Sequence, residues 1–243
     1  MKTKSNDVKL NNLTVLITDI CNRNCAGCVN QGFVNTHKRF MTNEVFNQGL
    51  EWAKKHKKTG IIFNGGEPTL HPNLIDFIIL AKKFNFCTYL FTNYSQPDVV
   101  KKIDASKALD RITISNYDQL DLPTQKHFQT KLTLCTIIWS GRFNTKADFD
   151  RFIDENKDNY DSLFFQTLRP STQWAKNNQF VDWLEELFDV TSDENMFLHN
   201  KKRAIIYRGC KIKFNNKETS SIQRHNMNLD GEIHDNYNWQ YKK

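Results

Sequence analysis

The chain has 243 residues, of which 39% are hydrophobic and 25% are charged, and its formal net charge is +7. These proportions are typical of a folded globular protein and exclude an intrinsically disordered chain. No apolar run reaches the roughly 20 residues that a membrane-spanning helix needs, and the polar segment 1–11 has no apolar core of a signal peptide. We therefore expect a flexible N-terminus, no membrane association and a cytoplasmic protein.

Short apolar strands alternate with amphipathic helices between residues 12 and 170. Strands are predicted at 13–17, 61–63, 88–91, 111–115, 132–139 and 163–165. Helices are predicted to begin near Thr42, Pro72, Pro97 and Thr145, because threonine caps helices and proline suits their first turn. Segment 116–130 is predicted as a loop with a short helix. This alternation predicts a parallel sheet that is covered by helices.

The pattern changes after residue 170. An amphipathic helix is predicted at 180–188 and a strand at 204–207. A small hairpin is predicted at 226–234, with Asp230-Gly231 as its turn. We therefore expect a core domain over residues 12–170 and a small C-terminal α+β cap over residues 171–243.

Three of the six cysteines, Cys21, Cys25 and Cys28, follow the first predicted strand in the spacing Cys-x3-Cys-x2-Cys. Cysteines this close together are usually thiolate ligands of a metal. A structural zinc site closes with four protein ligands, whereas three ligands leave a metal position open for chemistry. Three thiolates on a four-iron cluster would leave one iron free. The alternative is a zinc site with His37 as the fourth ligand.

A second motif, Gly65-Gly66-Glu67-Pro68, ends the second predicted strand. In this order and spacing, the two motifs resemble those of the radical S-adenosylmethionine (radical SAM) superfamily. The resemblance implies an α/β fold with a partial (β/α)6 barrel over about residues 12–170. It also implies a [4Fe-4S] cluster on the three cysteines, with the methionine amine and carboxylate of SAM on the fourth iron.

The resemblance also implies roles for residues at the ends of the strands. The Gly65-Gly66 pair would let the backbone approach the methionine of SAM closely, and the Glu67-Pro68 region would help to fix its amine. Asn93 and Ser115, which end later strands, would contact the ribose or the methionine carboxylate. Polar residues at such positions are also ordinary turn chemistry.

A radical SAM enzyme is the function that the resemblance implies. An electron donor such as flavodoxin or ferredoxin would reduce an oxygen-sensitive cluster, and SAM would be cleaved to a 5′-deoxyadenosyl radical that removes hydrogen from a substrate. The positive charge and the basic, aromatic tail favour a nucleotide, nucleoside or nucleic-acid substrate, although solvated lysines are the commoner cause of such charge.

In many superfamily members, the residue just before the third cysteine is aromatic and lies beside the adenine. This chain has Gly27 at that position, and Phe33 is a candidate substitute.

Two alternative functions remain open at this stage. The Cys-x-Gly-Cys-x-Asn form is similar to that of some glycyl-radical activating enzymes, so activation of such a partner is one alternative. A non-catalytic zinc or nucleic-acid-binding module is the other.

The remaining cysteines lie outside both motifs. Cys87 and Cys135 are on predicted strands, and we expect them in the core. Cys210 lies beyond the barrel and is a candidate catalytic residue, as a hydrogen-atom donor or covalent acceptor, with a buried structural role as the alternative. Because a second cluster needs three or four ligands and the tail offers one cysteine, no auxiliary cluster is expected.

Overall fold

The structure is a computed structural model, and it describes residues 11–25, 28, 30, 32–115, 122–138, 142–167, 204–215 and 225–234. In chain order its elements are β1 (Asn12–Thr18), α1 (Asn43–Lys55), β2 (Gly60–Gly65), α2 (Leu74–Lys83), β3 (Cys87–Thr92), α3 (Pro97–Ala105), β4 (Arg111–Ser115), β5 (Lys131–Ile138), α4 (Lys146–Asn156), β6 (Ser162–Thr167), β7 (Ala204–Tyr207), β8 (Cys210–Asn215), β9 (His225–Met227) and β10 (Ile233–His234). Short 3-10 helices lie at Pro68–Leu70 and Gln125–His127.

Strands β1 to β6 are parallel and lie side by side in chain order. Right-handed crossovers that always step in the same direction place every connecting helix on the same face of the sheet. Helices α1 to α4 therefore cover one face and leave the other as the inside of an open barrel. This arrangement confirms the predicted α/β fold with a partial (β/α)6 barrel.

The hydrophobic core lies between the sheet and these helices. Phe46 of α1 stacks on Phe77 of α2 with ring centroids 4.1 Å apart, and it packs against Phe63 of β2 at 5.8 Å. Further along the sheet, Phe149 of α4 packs on Phe165 of β6 at 4.7 Å. All five rings are almost completely buried. The same helix-on-sheet packing thus runs from the first strand to the sixth.

Capping side chains start the helices where the sequence predicts them. The Thr42 hydroxyl accepts a hydrogen bond from the backbone N–H of Val45, and Thr145 forms a capping box with Asp148 at the start of α4. The helix predicted near Pro72 instead begins at Leu74. The reason is a turn in which the backbone N–H of Asn73 donates to His71 Nδ1.

The C-terminal strands extend the sheet at both edges. Strand β8 pairs in parallel with β6 and carries β7 on its outer side, whereas β9 pairs in parallel with β1 and carries β10. The predicted strand at 204–207 and the predicted hairpin are therefore confirmed as elements, and both belong to the barrel sheet. Pairing these edges satisfies backbone groups that an open sheet would expose.

Other predictions fall outside the residues that the structure describes. They include the flexible segment up to residue 10, the helix at 180–188 and the domain boundary at residue 170, so each stays a prediction. Within the described ranges, no helix is long and apolar enough to cross a membrane.

Candidate active site

The predicted site residues come together at the carboxyl edge of the sheet, where parallel α/β folds bind their ligands. The cysteine loop leaves β1, and the Gly65–Pro68 motif leaves β2. Asn93 follows β3 directly, and Ser115 is the last residue of β4. Cys210 is the exception, because it begins β8 and so lies at the opposite edge.

The three cysteines of the loop carry free thiols. Burial raises the pKa of the Cys21 thiol, and burial together with the charges of Cys25 and Cys21 raises the pKa of Cys28 to about 11. Thiolates that close would repel one another unless a cation compensated them, and a bound metal deprotonates its thiols outright. The chemistry of this donor set therefore fits an iron–sulfur cluster.

The arrangement of these thiols also helps to distinguish a site for a single metal ion from a site for an iron–sulfur cluster. Across the described residues, no three His, Cys, Asp or Glu side chains converge as ligands of a single metal ion. A [4Fe-4S] cluster makes a different demand, because each thiolate binds its own iron. His37, the fourth ligand of the zinc alternative, is exposed, and its backbone N–H is bound by Asp19.

Asp19, the residue that begins this loop, closes its base. Its buried carboxylate accepts backbone N–H bonds from His37 at 2.6 Å, Lys38 at 2.9 Å and Arg39 at 2.6 Å, and the Thr36 hydroxyl donates to it at 3.2 Å. Burial opposes ionisation, but these hydrogen bonds prevail and lower the pKa of Asp19. The loop that carries the cysteines is thereby tied to the end of β1.

Two asparagines fix the cysteine loop from its far side. Asn35 bonds the backbone of Cys21 twice, accepting from its N–H at 3.0 Å and donating to its carbonyl at 3.1 Å. Asn30 is buried and donates to the Gly65 carbonyl at 2.6 Å. The sequence analysis missed Asn35, and it noted Asn30 only as the last residue of the Cys-x-Gly-Cys-x-Asn form. In the structure, Asn30 connects the cysteine loop directly to the second motif.

Gly65 and Gly66 allow the two motifs to lie against each other. A Cβ on Gly65 would lie 2.3 Å from the Thr18 carbonyl oxygen, and one on Gly66 would lie 2.2 Å from that of Ile20. The Gly66 N–H donates to the carbonyl oxygen of Thr18 at 2.7 Å, and the Glu67 N–H donates to the carbonyl oxygen of Ile20 at 2.8 Å. These contacts give the glycines a structural reason, while close approach to the methionine of SAM stays a prediction.

Glu67 joins the end of β2 to the end of β3. Its Oε1 accepts from the Thr69 N–H at 3.1 Å and from the hydroxyls of Thr69 at 2.5 Å and Thr92 at 2.7 Å. Its Oε2 accepts from the Asn93 N–H at 2.6 Å. Burial raises the pKa of Glu67, whereas the four donors favour the ionised form. The carboxylate therefore sets the position of the Asn93 backbone.

Asn93 faces a predicted cluster ligand. Its Oδ1 accepts from the Ser95 N–H at 2.9 Å, so its Nδ2 points the other way, 3.1 Å from Asn22 Oδ1 and 3.9 Å from Cys21 Sγ. This N–H lowers the cost of a thiolate at Cys21. A contact of Asn93 with SAM stays a prediction.

The other singled-out residues have separate surroundings. Ser115 aligns with Cys135 on the neighbouring strand. Cys135 is buried, which confirms its predicted core position. The prediction for Cys87 was wrong, since it begins β3 at the exposed edge of the sheet. Phe33 packs in the core and is 7% exposed, and Cys210 is buried in the same core at 3%. This placement of Cys210 supports a packing role.

The chain is similar in sequence to a known protein family and to individual known proteins. Residues 15–115 match the family model of the radical SAM superfamily. The chain is 25% identical over 224 residues to a putative glycyl-radical enzyme activating enzyme of Methanocaldococcus jannaschii, over 88% of this chain and 86% of that protein. It is 30% identical over 110 residues to a probable GTP 3′,8-cyclase of Pyrococcus horikoshii, over 45% of this chain and 35% of that protein.

Solved structures share the fold. SuiB of Streptococcus suis bound to its precursor peptide SuiA superposes with a TM-score of 0.68 at 13% identity, over 96% of this chain. SuiB bound to S-adenosylmethionine superposes with a TM-score of 0.64 at 14% identity, over 92% of this chain. The chain spans 61% and 59% of the length of those two proteins.

Proposed function

We propose that the chain is a radical SAM enzyme that uses a [4Fe-4S] cluster and SAM, and that Cys21, Cys25 and Cys28 hold that cluster. The observation that carries the proposal is the joining of the cysteine loop to the Gly65–Pro68 motif. Backbone bonds and the Asn30 side chain link the two motifs at the carboxyl edge of the sheet. Both motifs thus serve one site.

We assign the residues at this edge to binding of the cluster or to binding of SAM. When bound, a reduced [4Fe-4S] cluster would supply the electron for cleavage of SAM. The thiolates of Cys21, Cys25 and Cys28 would hold the cluster and leave one iron without a protein ligand. The Gly65–Pro68 segment would help to bind the methionine of SAM, and Asn93 and Ser115 would contact its ribose or carboxylate.

A redox partner must reduce the cluster, and a flavodoxin or ferredoxin is the proposed donor. For the substrate, a nucleotide, nucleoside or nucleic acid remains the leading proposal. The support is the net charge of +7 and the general attraction of such a charge for anionic partners.

Activation of a glycyl-radical enzyme is the second candidate function. The observation in its favour is the similarity to the putative activating enzyme of M. jannaschii, which extends over 86% of that protein. An activase would form a stable complex with a large partner protein and would leave a radical on the partner backbone. A small-molecule enzyme would do neither.

The test of the cluster proposal is anaerobic reconstitution followed by reduction with dithionite in the presence of SAM. We expect brown protein with close to four iron and four sulfide per chain, and formation of 5′-deoxyadenosine. Cys21→Ala should abolish 5′-deoxyadenosine formation, because the cluster then lacks one of its three protein ligands.

Cys87→Ala is the matched control, since Cys87 is exposed at the opposite edge of the sheet. It should keep both the cluster and 5′-deoxyadenosine formation. Equal loss in the two variants would contradict the assignment of Cys21, and colourless protein with one bound zinc would contradict the enzymatic function.

A further inference from the structure

The inner face of the sheet carries polar side chains where the outer face carries the helix-packed core. Side chains alternate along each strand, and the register aligns Thr133 of β5 with Ser162 of β6 on this inner face. Phe91 of β3 and Phe164 of β6 share the face, and their ring centroids lie 6.4 Å apart. Because two strands separate β3 from β6, this contact shows that the inner face is concave.

The hydroxyl of Ser162 lies at the centre of a polar cluster on this face. Ser162 is fully buried, and its Oγ accepts hydrogen bonds from Lys213 Nζ at 3.0 Å and from Arg111 Nη1 at 3.2 Å. Thr133 Oγ1 lies 2.9 Å from the same oxygen and accepts from Arg111 at 2.8 Å. Two cationic side chains therefore converge on one neutral oxygen.

Positive charge exceeds negative charge around this oxygen. Arg111 is paired with Asp161 at 2.6 Å, and within the described ranges the structure records no ion pair for Lys213. Burial and the cations Arg111, Lys211 and Lys131 lower the pKa of Lys213 to about 7, while Asp161 opposes them. A partly buried amine in such surroundings gains from an anion beside it.

The cluster lies at the amino end of the inner face, since Arg111 and Ser162 begin β4 and β6. Ser115 ends β4 at the carboxyl edge, beside the residues of the proposed SAM site. Arg111 and Ser115 are four residues apart on one strand, which is about 13 Å at a rise of about 3.3 Å per residue. A ligand of about that length, held at the cluster, extends along the inner face to the proposed site.

We propose that Lys213 and Arg111, held in place by Thr133 and Ser162, bind an anionic group of the substrate, a phosphate or a carboxylate. Lys213 donates its remaining N–H groups to the anion, the Arg111 guanidinium adds positive charge beside it, and the buried hydroxyls of Thr133 and Ser162 orient the two cations. The inference rests on the proposed function, since it assigns the substrate of that same enzyme to the class of anionic small molecules.

The test is thermal unfolding of the full chain, purified anaerobically, in chloride, phosphate and acetate at equal ionic strength. An anion that binds the folded state raises the midpoint temperature. We expect phosphate, acetate or both to raise it in the wild-type protein and in Lys101→Met, whose exposed lysine on α3 is the matched control. We expect Lys213→Met to lose this rise and Lys213→Arg to restore it.

The ion that raises the midpoint tells a phosphate-bearing substrate from a carboxylate-bearing one. General salt effects act on all variants alike, so equal responses in Lys213→Met and the wild-type protein would overturn the proposal, as would no response to either ion. If Lys213→Met fails to fold, Ser162→Ala carries the same expectation. Formation of 5′-deoxyadenosine by the wild-type protein tests the proposed function separately, and it does not depend on added anions.

Discussion

At the scale of single residues, the carboxylate of Glu67 organises the candidate active site. It holds the hydroxyls of Thr69 and Thr92 and the backbone N–H of Asn93. The amide of Asn93 then reaches Asn22 and Cys21. One buried carboxyl group thus connects the second motif with the first cysteine of the loop, and any direct contact of Glu67 with SAM would add to this structural role.

Glu67→Gln tests that structural role. The amide keeps the size of the side chain but replaces one acceptor oxygen by a donor NH2 group, so a buried N–H or hydroxyl loses its partner. Such a loss costs about 1–3 kcal/mol, and we expect the free energy of unfolding in urea to fall by that amount. Glu51→Gln, at an exposed position on α1, should leave it unchanged. Unchanged stability with weakened SAM binding would instead show that Glu67 acts on the ligand alone.

Residue type decides which parts of this site are visible in the sequence. Clustered cysteines and a Gly-Gly-Glu-Pro run are rare patterns with few uses, so they are readable without a structure. Asp19 and Asn35 are ordinary polar residues, and their partners lie 14 to 20 positions away. Nothing local marks them as the residues that close the loop. The aspartate immediately before the first predicted ligand was the available signal, and its meaning needs the folded chain.

At the scale of elements, the alternation of strands and helices was predictable because each element carries its own signal. Apolar runs specify the strands, and caps such as Thr42 and Thr145 specify where helices begin. The start of α2 was displaced from Pro72 to Leu74 because the side chain of His71 bonds the intervening backbone. Such a side-chain contact has no periodic signature.

Gly66→Ala tests the contact between the ends of β1 and β2. The added Cβ would lie 2.2 Å from a backbone oxygen of Ile20, which cannot move without displacing the cysteine loop. Overpacking of this kind costs about 1–3 kcal/mol or more. We expect a lower free energy of unfolding and a reduced iron content after reconstitution, measured by urea unfolding and by iron analysis.

Gly49→Ala is the matched control for Gly66→Ala. Its Cβ would also approach another atom closely, at 2.4 Å, but that atom is the end of the flexible Met227 side chain. Alanine also favours helix over glycine by about 1 kcal/mol, so we expect unchanged or higher stability and full iron content. If both variants lost iron equally, the close approach of the two motifs would not be what holds the cysteine loop.

At the scale of the whole molecule, the described residues form one sheet of ten strands, to which the C-terminal region contributes both edges. The sequence predicted the short strands of that region but assigned them to a cap. Pairing of β9 with β1 aligns Leu13 with His225, and these two residues lie near opposite ends of the sequence. Local propensity and turn signals carry no information on such pairing, so the closure of the sheet edges could not be predicted.

The inner face of this sheet also depends on pairing between strands that are distant in sequence. Apolar residues of the outer face were predictable as core, whereas the inner face brings Arg111, Thr133, Ser162 and Lys213 together from separate strands. Lys213 seemed one basic residue of a basic tail in the sequence. Only the register of β8 with β6 places it among buried groups.

The pH dependence of stability tests this burial of Lys213. Its pKa falls from 10.5 to about 7 in the folded protein, through burial and the cations Arg111, Lys211 and Lys131, with Asp161 opposing them. Between pH 7 and pH 10.5 the unfolded chain therefore binds a proton at Lys213 that the folded chain lacks, so the contribution of Lys213 to the free energy of unfolding rises with pH in this window.

Relative to Lys213→Met, the wild-type protein should gain stability as the pH rises from 7 to 10, by less than about 1.4 kcal/mol per pH unit, the slope for one full proton. Urea unfolding of both proteins at several pH values measures this difference. Below pH 7 the two stabilities should run parallel, because Lys213 is then protonated in both states. A bound anion favours the protonated amine, so phosphate or acetate should flatten the difference between the two proteins. A difference that stays constant from pH 7 to pH 10 would show that Lys213 titrates normally, and the inner face would then hold no buried amine to attract an anion.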